Sequence, residues 1–140
     1  MATLPMPIET RIKDADQDAL QKVAAAGYCF GAKYVVRFLR SGLIDVGFIA
    51  HPAMVDRQEV EGVRNPLAMA AAEIDNIFPA DKRYETEKTL KKLGVPYQIN
   101  LYSGVQHGFA VRCDLSARAQ KYAKESAFLL AVQWFEEHLA

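Results

Sequence analysis

The chain has 140 residues, the size of one ordinary domain, and balances 17 Lys and Arg against 17 Asp and Glu, with 51% hydrophobic and 24% charged residues. The charges cancel and are interspersed, so no long-range field draws in a phosphate backbone or an anionic membrane surface; nucleic acid and membrane are not expected as partners. The charge-free apolar stretches Val23 to Ala32 and Ser126 to Phe135 are ten residues each, about half of the ~20 that a spanning helix needs.

Met1 to Ile8 has neither the basic n-region nor the apolar h-region of a signal peptide, so a cytoplasmic location is expected, with Cys29 and Cys113 kept as thiols. Residues 1–10 are expected to be poorly ordered, Asp14 to Gln21 has room for a short helix, and 1–21 forms a poorly defined segment ahead of a domain over 22–140. Val23 to Tyr28 is small and apolar, as suits a strand buried on both faces, and stops at Gly27 and Gly31 around Cys29. A helix follows over Ala32 to Arg40, with Ser41-Gly42 as its stop. The strand Val46 to Ala50 ends at His51-Pro52, and the polar residues 53–64 leave room for one or two helical turns. Leu67 to Ala72 reads as a third strand, with Asp75 just beyond it. Arg83 to Leu93 is a charged helix in which Glu87 and Lys91 are spaced to support one another, with Gly94 past its end. Tyr97 to Tyr102 is a fourth strand, leading into a turn at Ser103-Gly104 and then His107-Gly108-Phe109. From Ser116 to His138, Ala119, Tyr122, Ala123, Ala127, Leu130, Ala131 and Trp134 recur at steps of three and four, the period of one long helix packed on the sheet. This βα alternation defines an α/β fold: a mostly parallel sheet of about four strands with flanking helices.

Gly27-Tyr28-Cys29-Phe30-Gly31 lies where a buried strand turns directly into a helix, the setting in which a G-x-S-x-G turn presents a nucleophile. Here the nucleophile is a thiol. Glycines on either side let strand and helix backbones approach where a Cβ at either position would crowd them. The helix N-terminus favours negative charge, both on a Cys29 thiolate and on an oxyanion at the Phe30 N–H. Asp75 follows Cys29 by 46 residues and His107 follows Asp75 by 32, each past the end of a later strand. In a parallel sheet those loops share the carboxyl edge, and nucleophile, acid, histidine is the chain order of α/β-hydrolases. His107 has the chemistry to deprotonate Cys29 and reprotonate a leaving alkoxide, and Asp75 to fix the imidazole tautomer. The structural alternative has Asp75 capping its loop and His107 satisfied in a turn.

Gly27-Tyr28-Cys29-Phe30-Gly31, Asp75 running on to Phe78-Pro79, and Tyr102-Ser103-Gly104 with His107-Gly108-Phe109-Ala110 and Arg112 resemble the dienelactone hydrolases, especially fungal members. The resemblance covers about residues 22–140. It implies a partial α/β-hydrolase fold whose Cys29, Asp75 and His107 cleave a small-molecule ester or lactone through a thioester acyl-enzyme, without a cofactor. Bacterial members bind the substrate carboxylate partly through an arginine shortly after the histidine, and Arg112 matches one residue later than in that spacing. Against the family pattern, the chain corresponds to the C-terminal half of the domain, a truncated form. Two expectations follow. Only the Phe30 N–H is at hand for the oxyanion, where the family has a second donor upstream. The strand Val23 to Tyr28, central in the full fold, becomes an apolar sheet edge, a surface for a homodimer or a complementary chain. The alternative function is accordingly a weak or inactive hydrolase that acts as a binding or assembly module through that edge.

Tyr28, Phe109 and Arg112 are the candidate substrate contacts, although Tyr28 and Phe30 read equally as packing for the elbow. His51 reads equally as a pocket residue on the triad's edge and as an ordinary His-Pro turn. Glu73 is near enough to Asp75 to replace it as the acid. Cys113 reads as a bystander thiol, and without a C-x-x-C a redox role is weak. No pair among Cys29, His51, His107 and Cys113 has zinc-site spacing, so no metal is expected. His138 suits a helix C-terminus, and Lys88, Lys91 and Lys92 suit a solvated helix face.

Overall fold

A computed structural model of the chain describes residues 22–140. The expectations for residues 1–10 and for a helix at Asp14 to Gln21 lie outside the described residues. In chain order the elements are β1 (Ala24–Tyr28), α1 (Gly31–Ser41), β2 (Val46–Ala50), α2 (Arg57–Glu61), β3 (Leu67–Ile74), α3 (Ala80–Leu93), β4 (Tyr97–Gln106) and α4 (Arg118–Leu139). The four strands form one sheet in the order β1-β2-β3-β4, and every pair is parallel. The α/β class and the count of four strands are therefore as the alternating pattern requires.

Side chains that alternate along a strand divide the core into two layers. Val46, Phe48 and Ala50 of β2 and Ala68, Ala70 and Ala72 of β3 face α4, which answers with Ala123, Ala127, Leu130, Ala131 and Trp134. Small side chains on both partners let the helix lie close to the sheet. On the other face, Ile49, Leu67, Met69 and Ala71 meet Ala32, Val35, Val36 and Leu39 of α1, with Phe78 and Leu90 beyond.

Several local expectations are corrected. β1 pairs with β2 alone among the described strands, and of its residues only Gly27 is buried while Ala26 is exposed, so it is not buried on both faces; its edge position is the one expected from the resemblance. Ser103-Gly104 does not turn the chain: β4 runs on to Gln106 through a register irregularity opposite Ala72 and Ile74, and the Gly104 N–H donates to Glu73 Oε1 at 3.0 Å. Helix α3 starts three residues early. Glu87 and Lys91 make no ion pair among the described residues, and Arg57 on α2 reaches Glu85 at 3.4 Å instead. Ala119 and Tyr122 are exposed: Ala119 lies one turn before Ala123, the first buried residue of α4, and Tyr122 points off the face formed by Ala123, Ala127, Leu130 and Trp134.

The two glycines of the elbow also separate. A Cβ on Gly27 would sit 2.5 Å from the Gly31 carbonyl oxygen and 2.8 Å from Val35 Cγ2, whereas a Cβ on Gly31 meets nothing within 4 Å. The close approach is made by the Gly31 backbone onto Gly27, so only Gly27 is sterically required. Gly27→Ala is expected to cost about 1–3 kcal/mol, the range for overpacking a filled site, and Gly31→Ala is expected to be neutral or slightly stabilising because alanine suits a helix better. Urea unfolding of the two variants beside the parent checks this; equal losses would contradict it.

Candidate active site

Cys29 has φ +55, a left-handed conformation that a side chain rarely adopts. Three main-chain hydrogen bonds hold it there: its N–H donates to the Ala50 carbonyl at 3.1 Å, and its own carbonyl accepts from Ala32 N–H at 3.2 Å and Ala53 N–H at 3.0 Å. The end of β2, the following loop and the start of α1 thus converge on one residue. The other non-glycine residues with positive φ among those described, His51 at +34 and Met54 at +58, are in that same loop. Strain concentrated in this way is a mark of functional sites.

The loop is also pinned from α1. Lys33 Nζ donates to the Met54 carbonyl at 2.7 Å and to Glu59, and Arg37 Nε donates to Glu59 Oε2 at 2.9 Å. Burial alone would raise the Glu59 carboxyl, but the hydrogen bonds from Lys33 and Arg37 outweigh it and hold the group below its ordinary range.

β4 lies three strands from β1, roughly 14 Å at ordinary strand spacing, yet its loop reaches back across the sheet edge. His107 Nε2 lies 3.1 Å from Cys29 Sγ, and His107 Nδ1 lies 2.9 Å from Asp75 Oδ2. Asp75 is buried, and its other oxygen accepts the N–H groups of Ile77 and Phe78, both at 2.9 Å. Capping its own loop and orienting the histidine are therefore simultaneous roles. Glu73, engaged with Gly104, does not take that place.

On its way back, His107 comes to rest on His51 at the end of β2. The two rings are 5.1 Å apart at 66°, and His51 is further enclosed by Phe109 at 5.5 Å and Tyr28 at 6.1 Å. His51 is completely buried, and neither ring nitrogen has a hydrogen-bond partner among the described residues. Burial first, and then the neighbouring His107, lower its pKa from 6.5 to about 4.

The remaining candidates are placed as follows. Phe30 turns its ring toward Tyr34, at 5.3 Å, and its N–H donates to no group among the described residues, leaving it free at the start of α1. Arg112 is exposed and lines a cleft of about 170 Å³ with His107, Phe109, Gln106, Gly104 and Gln120. Phe109 is nearly all buried, packed on Tyr102 as well as His51, so it is mainly a support for the histidines. Tyr28 lines a separate groove of about 560 Å³ along α4, with Ala110, Leu115, Phe128 and Leu129. Cys113 is half-buried and forms no disulfide. Gln106 and Gln120 were not singled out from the sequence; adjacency to His107 was the available signal for Gln106, and none existed for Gln120. Among the described residues no three His, Cys, Asp or Glu side chains are grouped to hold a metal ion.

A parallel sheet covered by helices on both faces, with its loops converging at the carboxyl edge, is the architecture of the α/β-hydrolases. Among solved structures, the chain superposes on Pyrococcus horikoshii acylaminoacyl peptidase with TM-score 0.73 at 17% identity, over 94% of this chain and 26% of that one. It also superposes on a dienelactone hydrolase-like promiscuous phosphotriesterase from metagenomic libraries with TM-score 0.69 at 17% identity, over 93% of this chain and 61% of the other. The chain belongs to the dienelactone hydrolase family, whose family model matches residues 7–139. It is 56% identical over 119 residues to the hydrolase tropI of Talaromyces stipitatus, covering 85% of this chain and 47% of that protein. It is 30% identical to dienlactone hydrolase 1 of Gibberella moniliformis, covering 88% of this chain and 48% of that protein. The chain thus spans about half the length of these curated relatives.

His51 generates a pH dependence of known sign. The unfolded chain takes up a proton near pH 6.5 that the folded site refuses until about pH 4, so stability is lost as pH falls through that window. The expected loss is about 3 kcal/mol, measured by urea unfolding at stepped pH, and His51→Phe should remove this part of the slope.

Proposed function

We propose that the chain hydrolyses an ester or lactone through Cys29, His107 and Asp75, by way of a thioester acyl-enzyme. The observation that carries this reading is the continuous path from Cys29 Sγ to His107 Nε2 at 3.1 Å and from His107 Nδ1 to Asp75 Oδ2 at 2.9 Å. Family membership supports it.

In the first half-reaction, Nε2 takes the Cys29 thiol proton while sulfur forms a bond to the substrate carbonyl carbon. The oxyanion lies against the Phe30 N–H at the start of α1, where the helix dipole adds to the hydrogen bond. The C–O bond to the leaving group then breaks, and the alkoxide takes the proton from Nε2. In the second half-reaction, Nε2 takes a proton from water, the hydroxide attacks the thioester carbonyl, and the C–S bond breaks to return the thiolate, which regains the proton. Asp75 accepts the Nδ1–H throughout, which keeps Nε2 free to act as base and stabilises the imidazolium. Its own geometry is fixed by Ile77 and Phe78.

Arg112 gives the site a substrate preference. Its guanidinium lies against the backbone of Gly108, and it shares the cleft beside His107. A carboxylate on the substrate would meet a charge-assisted hydrogen bond there. An ester or lactone bearing a carboxylate is therefore the preferred class. Arg112→Leu is expected to lower kcat/KM for such a substrate about 10- to 100-fold, the value of a hydrogen bond to a charged group, and to leave a neutral ester unchanged; equal effects on both substrates would remove the arginine from the binding site.

A second reading rests on the edge of β1, which no other described strand covers: a module that binds a partner there and turns over slowly or not at all. Hydrolysis of p-nitrophenyl acetate separates the two. The catalytic reading expects a burst followed by turnover, both lost in Cys29→Ala. A wild-type trace that matches Cys29→Ala would sink it and favour the binding module.

A further inference from the structure

Arg112 owes its aim to its backbone. Among the described residues its guanidinium has no ion-pair partner. It lies against Gly108 and shares the cleft beside His107, on an exposed stretch of chain. From Val111 to Ser116 only Cys113 is even half-buried, so packing does little to hold this stretch in place. Its main-chain hydrogen bonds are internal: the N–H groups of Val111 and Arg112 donate to the Gly108 carbonyl at 3.0 and 2.7 Å, and the Ala117 N–H donates to the Asp114 carbonyl at 3.1 Å. Such bonds give the loop a shape without fixing where that shape sits.

Gln120 supplies the external tie. Its Oε1 accepts the Asp114 N–H at 2.9 Å, the one side-chain hydrogen bond among the described residues that joins residues 108–117 to a neighbouring element. Gln120 stands three residues before Ala123, the first buried residue of α4, and lines the cleft together with Arg112 and His107. Asp114 is also the carboxylate nearest to Arg112 in sequence and a natural partner for its charge. It is turned to another use: the Ser116 N–H donates to its Oδ1 at 2.9 Å, and the Ser116 hydroxyl donates to the same oxygen. With its N–H on Gln120 and its carboxylate on Ser116, Asp114 is held from both ends, and the guanidinium two residues earlier keeps its charge for a substrate.

We propose that Gln120 is a positioning residue for Arg112: through Asp114 it fixes the loop that carries the guanidinium to the cleft, and it thereby sets the preference for a carboxylate-bearing ester or lactone. The proposal rests on the reading of Arg112 as the partner of that carboxylate. A charge-assisted hydrogen bond depends on distance and direction, and ordering a long arginine side chain is costly by itself. An untied loop adds backbone freedom to that cost, and the bond to Gln120 removes it before the substrate arrives. Gln120 takes no part in acyl transfer, so its effect falls on binding and is read in KM.

The test is hydrolysis of p-nitrophenyl hemisuccinate beside p-nitrophenyl acetate by the full chain. The two esters share a leaving group and differ in the carboxylate, and the readout is kcat/KM for the first divided by kcat/KM for the second. Gln120→Ala, which suits a helix, is expected to lower this ratio about three- to tenfold, the value of one neutral hydrogen bond, through KM rather than kcat. In an Arg112→Leu background the same substitution is expected to leave the ratio unmoved, because a residue that acts through the arginine has nothing left to position. Amide hydrogen exchange, which needs no turnover, should show the Asp114 N–H exchanging faster in Gln120→Ala than in the parent. A ratio that Gln120→Ala does not move, a fall of equal size with and without Arg112, or an Asp114 N–H indifferent to the substitution would overturn the proposal while the Cys29–His107 reading stands. An Arg112→Leu variant whose ratio matches the parent would remove the reading of the arginine and this proposal together. Parent traces that match Cys29→Ala on both esters would remove the catalytic reading with them.

Discussion

The left-handed backbone of Cys29 is the constraint on which the remainder of the site depends. A side chain in that conformation costs on the order of 1–3 kcal/mol, and it persists because three main-chain hydrogen bonds to Ala50, Ala32 and Ala53 over-determine it. Those bonds exist only if β2 lies beside β1 and α1 begins immediately after the elbow. Gly27 makes this possible by letting the Gly31 carbonyl approach where any Cβ would collide. The strain therefore aims the thiol outward at the sheet edge, and the sheet and its first helix jointly supply the stabilisation that offsets it.

The edge itself is built in steps, each strand end supporting the next. β2 ends in the buried His51, β3 in the buried Asp75, and β4 in a lengthened segment that carries His107 back over both. Asp75 uses one oxygen for its own loop and the other for the imidazole, so its carboxylate is held on both sides. On the outer side, Lys33 and Arg37 clamp Glu59, which keeps the loop carrying His51 and Ala53 against the elbow. Much of the polar chemistry in this small domain thus serves to hold backbone rather than to meet a substrate.

What the sequence revealed and what it hid have a common explanation. The succession of strands and helices, the elbow and the spacing of Cys29, Asp75 and His107 were legible because they are written in local apolar runs and their interruptions. The extension of β4 was not, since Ser103-Gly104 reads as a turn and becomes strand only when Glu73, 31 residues away, supplies an acceptor for Gly104. The exposed side of α4 was misread because apolar residues at steps of three and four do not all share one face: Tyr122 lies about 100° round the helix from buried Ala123, and Ala119 precedes the first buried residue by a turn. His51 was left between two readings because its burial is made by Tyr28, His107 and Phe109, drawn from β1 and from the segment after β4. The necessity of Gly31 was overstated, as a motif shows which residues are small and not which of them is crowded.

The parallel sheet also sets the order in which the site comes into being. Every strand pair joins residues far apart in sequence, 22 residues for Ala24 and Val46 and 30 for Leu67 and Tyr97, so each requires a long loop to close before it contributes. Cys29 and His107 are separated by 78 residues and by the full width of the sheet. On a growing polypeptide Cys29 is synthesised well ahead of His107, and β1 and β2 are made before the strand that leads to it. The contact between thiol and imidazole is consequently one that the chain acquires only with its last strand, and the thiol of an incomplete chain has no imidazole beside it.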